Sequence, residues 1–302
     1  MKLIALLIGL AVERLATQLF HLRELRWLDR IIDAGFHAAE RFAHWPATIP
    51  VVLLTVLLAL PVFAVMFALG DTLFGFPYLL LAIVVLFFSL GPKDIGEEVD
   101  EYCAALESGE RETIRATSKA LLEKDGPDDD EERVRKVEEA VFVQANNRLF
   151  AVIFWFVLFG PLGAWAYRST DLVRRRAVFS ANRSAEDDGA HRIAAAAAAL
   201  HGWVAWIPAR LTAFGYALVG SFDAAWSAWR RMPPQAETTT GEHNEQLLAR
   251  VGSAALALAD DDEEDLAARG VRGAAAANGL VFRLLFLWAV VIAGLTLYGW
   301  SV

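Results

Sequence analysis

The chain has 302 residues, a formal net charge of −9 and 56% hydrophobic residues, with 10 Trp and 19 Phe. Soluble domains sit nearer about 45–50% apolar, so this composition excludes an ordinary soluble domain. Its one cysteine excludes an intramolecular disulfide and a cysteine metal cluster. The acidity is local. Residues 91–140 hold 17 acids and 8 Lys/Arg, and the rest of the chain balances. Nothing in this pattern attracts nucleic acid.

The first apolar run, Leu3–Val12, breaks at adjacent Glu13 and Arg14. It lacks a basic leader of any weight and a small-residue cleavage site, which speaks against a signal peptide. Neighbouring helix residues point about 100° apart, so Glu13 and Arg14 do not pair with each other. They either snorkel to the interface or meet partners elsewhere, with Arg148, Arg210 and Arg283 as the candidates for Glu13.

A helix crossing hydrocarbon needs about 20 mostly apolar residues. Four segments qualify: Thr48–Leu69, Thr72–Leu90, Leu149–Tyr167 and Leu280–Gly299. The first two are joined by Gly70-Asp71 and are expected to form a hairpin. The third is interrupted by "GPLG" at Gly160–Gly163. If it crosses fully, Arg174–Arg176 fall on the far side; if it turns back, they stay with the insertion. Trp288, Tyr298 and Trp300 on the fourth are expected at the interface. Ile193–Phe222 is apolar but holds His201, Pro208 and Arg210, so it either spans or lies along the interface.

The polar insertion, residues 91–147, reads as two helices. Ile95, Val99, Tyr102, Cys103 and Leu106 follow helical spacing, "DGPDDDEE" interrupts, and a second helix starts near Glu131. A polar connection covers residues 223–279, with Met232–Gln246 read as loop. The expected fold class is all-α: a polytopic helical membrane protein, one membrane domain over 1–302, with a helical cytoplasmic insertion. Arginines 14, 23, 26, 30 and 41 crowd the first connection and place it in the cytoplasm.

The segments "VERL" (Val12–Leu15), "LRWLDR" (Leu25–Arg30), Gly91–Glu110, "NNRLFAVIFWF" (Asn146–Phe156), "GAWAYR" (Gly163–Arg168) and Trp206–Gly220, taken in order, resemble the AmpE family. These are inner-membrane regulatory modulators of β-lactamase induction. The family in turn looks distantly similar to the membrane-bound adenosylcobinamide-phosphate synthases of cobalamin biosynthesis. That second resemblance includes "PAR" (Pro208–Arg210), an acid at the place of Glu13 and an Asp near Asp171. The departures are the synthases' carboxylate motifs. The stretches Leu15–Glu24, Val143–Phe150 and Leu200–Trp206 lack them. A ligase using ATP needs carboxylates to hold magnesium against phosphate.

The resemblance therefore implies a scaffold kept and a ligase chemistry lost. The expected function is an inner-membrane, multi-pass modulator or sensor, without catalytic residues, metal or cofactor. Its partners are the bilayer and either a muropeptide-type ligand or a cytoplasmic protein of peptidoglycan recycling. The alternative is an ATP-dependent ligase or transferase on the synthase scaffold. A transporter is disfavoured because the halves show no repeat. The candidate polar cluster is Glu13, Arg14, Arg148, Asp171, His201 and Arg210. Histidine spacing offers no transition-metal site, and no phosphate-binding glycine loop or nucleophile elbow is present.

Overall fold

A computed structural model describes residues 25–40, 45–69, 76–91, 93–183, 187–234, 238–259 and 264–298. Glu13, Arg14, the Leu3–Val12 run, the Gly70-Asp71 turn and Trp300 lie outside them. Among the described residues the chain is all-α, with no strand.

Helices α1 (Arg26–Glu40), α2 (Thr48–Leu69) and α3 (Phe76–Ser89) come first. Pro61 sits inside α2. Among the described residues three helices are long and apolar enough to cross a bilayer: Thr48–Ala68, Asp130–Phe159 and Leu266–Leu297. The second is mostly buried inside the protein, while the first and third expose many large apolar side chains. Leu57, Phe63 and Phe67 on α2, and Phe286 and Val290 on the last helix, all face outward. Apolar patches of this extent mark a membrane surface. Trp288 is instead half-buried beside Phe150, their rings 5.7 Å apart.

The insertion contains three helices where the sequence suggested two: α4 (Ile95–Ser108), α5 (Arg111–Leu122) and α6 (Asp130–Ala145). Asp94 caps α4 by accepting from the Gly96 amide at 2.7 Å. Gly109, at φ 69°, ends it in the left-handed conformation that suits glycine. The chain then re-enters helix at Arg111, short of the interruption at Asp125–Glu132. Asp129 caps α6.

Helix α6 runs into a π turn, Asn146–Phe150, then α7 (Ala151–Phe159). Gly160, at φ 65° and ψ −152°, breaks the chain in a region only glycine adopts with ease. Helix α8 (Pro161–Arg183) then folds back along α7. A side chain on Gly163 would collide with the Trp155 carbonyl oxygen, so the two helices touch backbone to backbone. The GPLG break is thus a helical hairpin, and it returns Arg174–Arg176 toward the insertion.

Helix α9 (Asp188–Val219) absorbs Pro208 without ending. Helices α10 (Phe222–Arg230), α11 (Thr240–Leu256) and α12 (Leu266–Leu297) complete the fold. The stretch read as loop at 232–246 is helix from Thr240. A capping box explains this: the Thr239 side chain accepts from the Glu242 amide, and Glu242 answers to the Thr239 amide. The 223–279 stretch is also more than a connection, because α11 buries Leu247, Leu248 and Val251 against the core.

Candidate functional site

Helix α8 carries Arg168, Asp171, Arg174 and Arg175. Residues three and four apart share a helix face, so this spacing folds three guanidiniums onto one carboxylate. Arg168 Nη1 and Arg175 Nε donate to Asp171 Oδ2, and Arg174 Nη2 donates to Oδ1, each at 2.8 Å. Asp171 is fully buried. From α9, His201 Nε2 stands 3.9 Å from Oδ1. Its ring lies 5.4 Å from that of Tyr167.

The insertion closes the site from the other side. Glu123 follows α5 and reaches Arg175 Nη1 at 2.6 Å, Arg148 Nη2 at 3.1 Å and Arg174 Nη2 at 3.6 Å. Arg148 sits in the π turn, a distortion often found at functional sites. It also donates to Glu98 at 2.8 Å and Gln144 at 3.1 Å. One continuous network therefore joins α4, the end of α5, the π turn and α8, with His201 of α9 standing against it.

Its electrostatics divide the carboxylates. Burial opposes ionisation of Glu123, but Arg175 and Arg148 outweigh it and hold the carboxyl below its ordinary range. At Glu98 burial wins over Arg148, and the carboxyl is pushed up. Four arginines, 148, 168, 174 and 175, contact three carboxylates, 98, 123 and 171. A cavity of about 160 Å³ opens beside Arg148, lined among others by Gly91, Lys93, Asn278 and Phe282.

Of the residues singled out from sequence, Arg148, Asp171 and His201 meet in this network. Arg210 is engaged elsewhere, donating to Asn244 Oδ1 at 3.0 Å and lying 3.9 Å over the Trp206 ring. Arg283 donates to the Val219 carbonyl. Glu13 and Arg14 lie outside the described residues. Sequence reasoning missed Glu98, Glu123, Arg168, Arg174 and Arg175 as site residues. The four-residue rhythm from Arg168 to Arg175 was a usable signal. Nothing local marked Glu123.

Each carboxylate of the network is engaged by guanidinium, so none stands free to hold a cation. Among the described residues no group of three His, Cys, Asp or Glu is arranged to hold a metal ion. The arrangement is suited to balancing negative charge.

The AmpE family, described as regulatory signalling modulator protein AmpE, matches residues 1–302. The chain belongs to the AmpE family. It is thereby a regulatory membrane protein. Over 156 residues, 51% of this chain and 50% of the relative, it is 30% identical to the cobalamin biosynthesis protein CobD of Stutzerimonas stutzeri. Over 157 residues, 52% and 48% respectively, it is 26% identical to the CobD of Chromobacterium violaceum. This AmpE-family chain spans about half the length of the curated relatives it matches. No solved structure matches it.

Proposed function

We propose that the chain is a multi-pass inner-membrane modulator or sensor linked to β-lactamase induction and peptidoglycan recycling, acting without catalysis. The observation that carries this reading is the fate of the network's carboxylates. Glu98, Glu123 and Asp171 are each within 3.1 Å of an arginine. Phosphoryl and ligase chemistry needs carboxylates free to hold magnesium on phosphate oxygens. An insertion clamped to a membrane hairpin by ion pairs suits a part that reports a ligand to a cytoplasmic partner.

The second reading is a ligase or transferase on the synthase scaffold. The similarity to cobalamin biosynthesis proteins over half the chain favours it. Thermal melting in detergent separates the two, because a ligand that binds the native state raises the midpoint. The modulator reading expects a shift with anhydromuropeptides and none with ATP and magnesium. A magnesium-dependent ATP shift that disappears in Glu13→Ala would mean that an enzymatic site is present, and the non-catalytic reading would be wrong.

A further inference from the structure

The network satisfies Asp171 and leaves much of its own donor capacity unused. Arg168 Nε, Arg174 Nε, Arg175 Nη2, Tyr167 Oη and His201 Nε2 are buried without a hydrogen-bond partner. Tyr167, Arg168 and His201 are each more than nine-tenths buried. Buried polar groups in folded proteins are nearly always matched, and an unmatched one is costly. Five around one carboxylate is a surplus that asks for an acceptor.

They are in one place because of Asp171. Three arginines touch that carboxylate at 2.8 Å and His201 stands at 3.9 Å. The unmatched nitrogens belong to these same side chains, within a few bonds of the contacting atoms. Tyr167 lies one helical turn before Asp171, on the same face. The site reaches the surface along Arg174 and Arg175, whose side chains are 17% and 26% exposed.

Glu123 occupies that edge. Its backbone has φ 58°, the left-handed region where glycine is usual at a helix end. A glutamate held there has its carboxylate against Arg148, Arg174 and Arg175. Guanidiniums bind phosphate and carboxylate in the same forked geometry. Glu123 is thus an internal oxyanion seated on a receptor for oxyanions.

We propose that Tyr167, Arg168, Arg174, Arg175 and His201 receive the oxyanion of a ligand, a phosphate or carboxylate group, and that Glu123 holds part of its place in the free chain. Ligand entry displaces Glu123 and releases the end of α5 from α8. This concerns what the site binds and holds whether or not the chain catalyses a reaction.

The test is thermal melting of the full chain in detergent with inorganic phosphate or acetate, each against sodium chloride at equal ionic strength. One of the two oxyanions raises the midpoint beyond chloride. In Glu123→Gln the half-saturating concentration falls about tenfold, since a competing like charge is gone; one decade corresponds to about 1.4 kcal/mol. Tyr167→Phe weakens the response without changing charge, and Arg175→Gln abolishes it. If Arg175→Gln does not fold, Tyr167→Phe carries the comparison. A larger response to phosphate assigns a phosphoryl ligand, and a larger response to acetate a carboxylate one. If dihexanoyl phosphatidic acid acts at lower concentration than inorganic phosphate, the source is a lipid headgroup; the reverse gives a soluble ligand. A response equal to chloride in both wild type and Glu123→Gln overturns the proposal. So does a response left intact by Tyr167→Phe and Arg175→Gln.

Discussion

Arg148 and Glu98 stand 50 residues apart in sequence and 2.8 Å apart in the fold, and both side chains are under 10% exposed. The bond fixes α4 of the insertion to the π turn that leads into α7. Breaking a buried ion pair by removing one member leaves the other charge without compensation, at a cost of about 3–5 kcal/mol. Arg148→Met is expected to lower the melting midpoint strongly. Adding Glu98→Leu is expected to recover part of that loss, because an apolar pair can replace a buried ionic one. If the double variant loses as much as the two single variants summed, the pair does not couple these elements.

The carboxylates give the stability curve a shape against pH. Glu123 is held below its ordinary range by Arg175 and Arg148, against the opposing effect of burial. Its contribution is therefore present above the unfolded value, about 4.3, and is lost as pH falls through the lower folded value. Glu98 is raised by burial. Its contribution is complete below the unfolded value and is lost as pH rises through the folded one. The midpoint is expected to rise as pH falls from neutral toward the unfolded carboxylate value and to drop again below it. Glu123→Gln should flatten the acid limb, and an unchanged acid limb in that variant would assign it to other groups.

The Gly160 turn decides which side Arg174–Arg176 occupy. In a Cys103→Ser background, Asp128→Cys on the insertion and Asp188→Cys at the start of α9 are both exposed positions. Both are expected to react with an impermeant maleimide from the same side of a sealed vesicle. Labelling from opposite sides would sink the hairpin. Gly163→Ala should separate α7 from α8 and lower the midpoint, overpacking of this kind costing about 1–3 kcal/mol.

Leu57 lies mid-way along α2 and is 56% exposed. On a water-facing surface its replacement would change stability by roughly 0.5 kcal/mol or less. Facing hydrocarbon, Leu57→Lys should cost about 2.5–3.5 kcal/mol in insertion. The yield of membrane-integrated protein measures the difference, and a wild-type yield would remove α2 from the lipid face.

The candidate site was legible from sequence only in part. Arg148, Asp171 and His201 stood out as polar residues at the ends of apolar segments, where desolvation demands a partner. Arg168, Arg174 and Arg175 were readable as helix neighbours of Asp171 once α8 was known to be one continuous helix. Glu98 and Glu123 were not readable. They lie among 17 acids of residues 91–140, most of which are solvated, and no spacing rule separates a buried glutamate from an exposed one. Arg210 carried the same signal as Arg148 and is engaged instead with Asn244 and Trp206.

Sequence by itself determined the all-α class, the apolar segments and the family resemblance. Those depend on hydrophobic period, on run length and on ordered motifs, all written along the chain. The capping box at Thr239 and Glu242 is equally local, but it lies inside a stretch whose composition suggests loop, and the structure makes it a helix start. Tertiary structure alone decided that α8 returns beside α7, that α11 is a core helix, and that Glu123 is the acid seated on three arginines. These outcomes depend on close backbone approach at Gly163 and on ion pairs between residues far apart in the chain. Such contacts are selected by the desolvation of charges as the helices pack. No local run of residues specifies which charge will be buried against which.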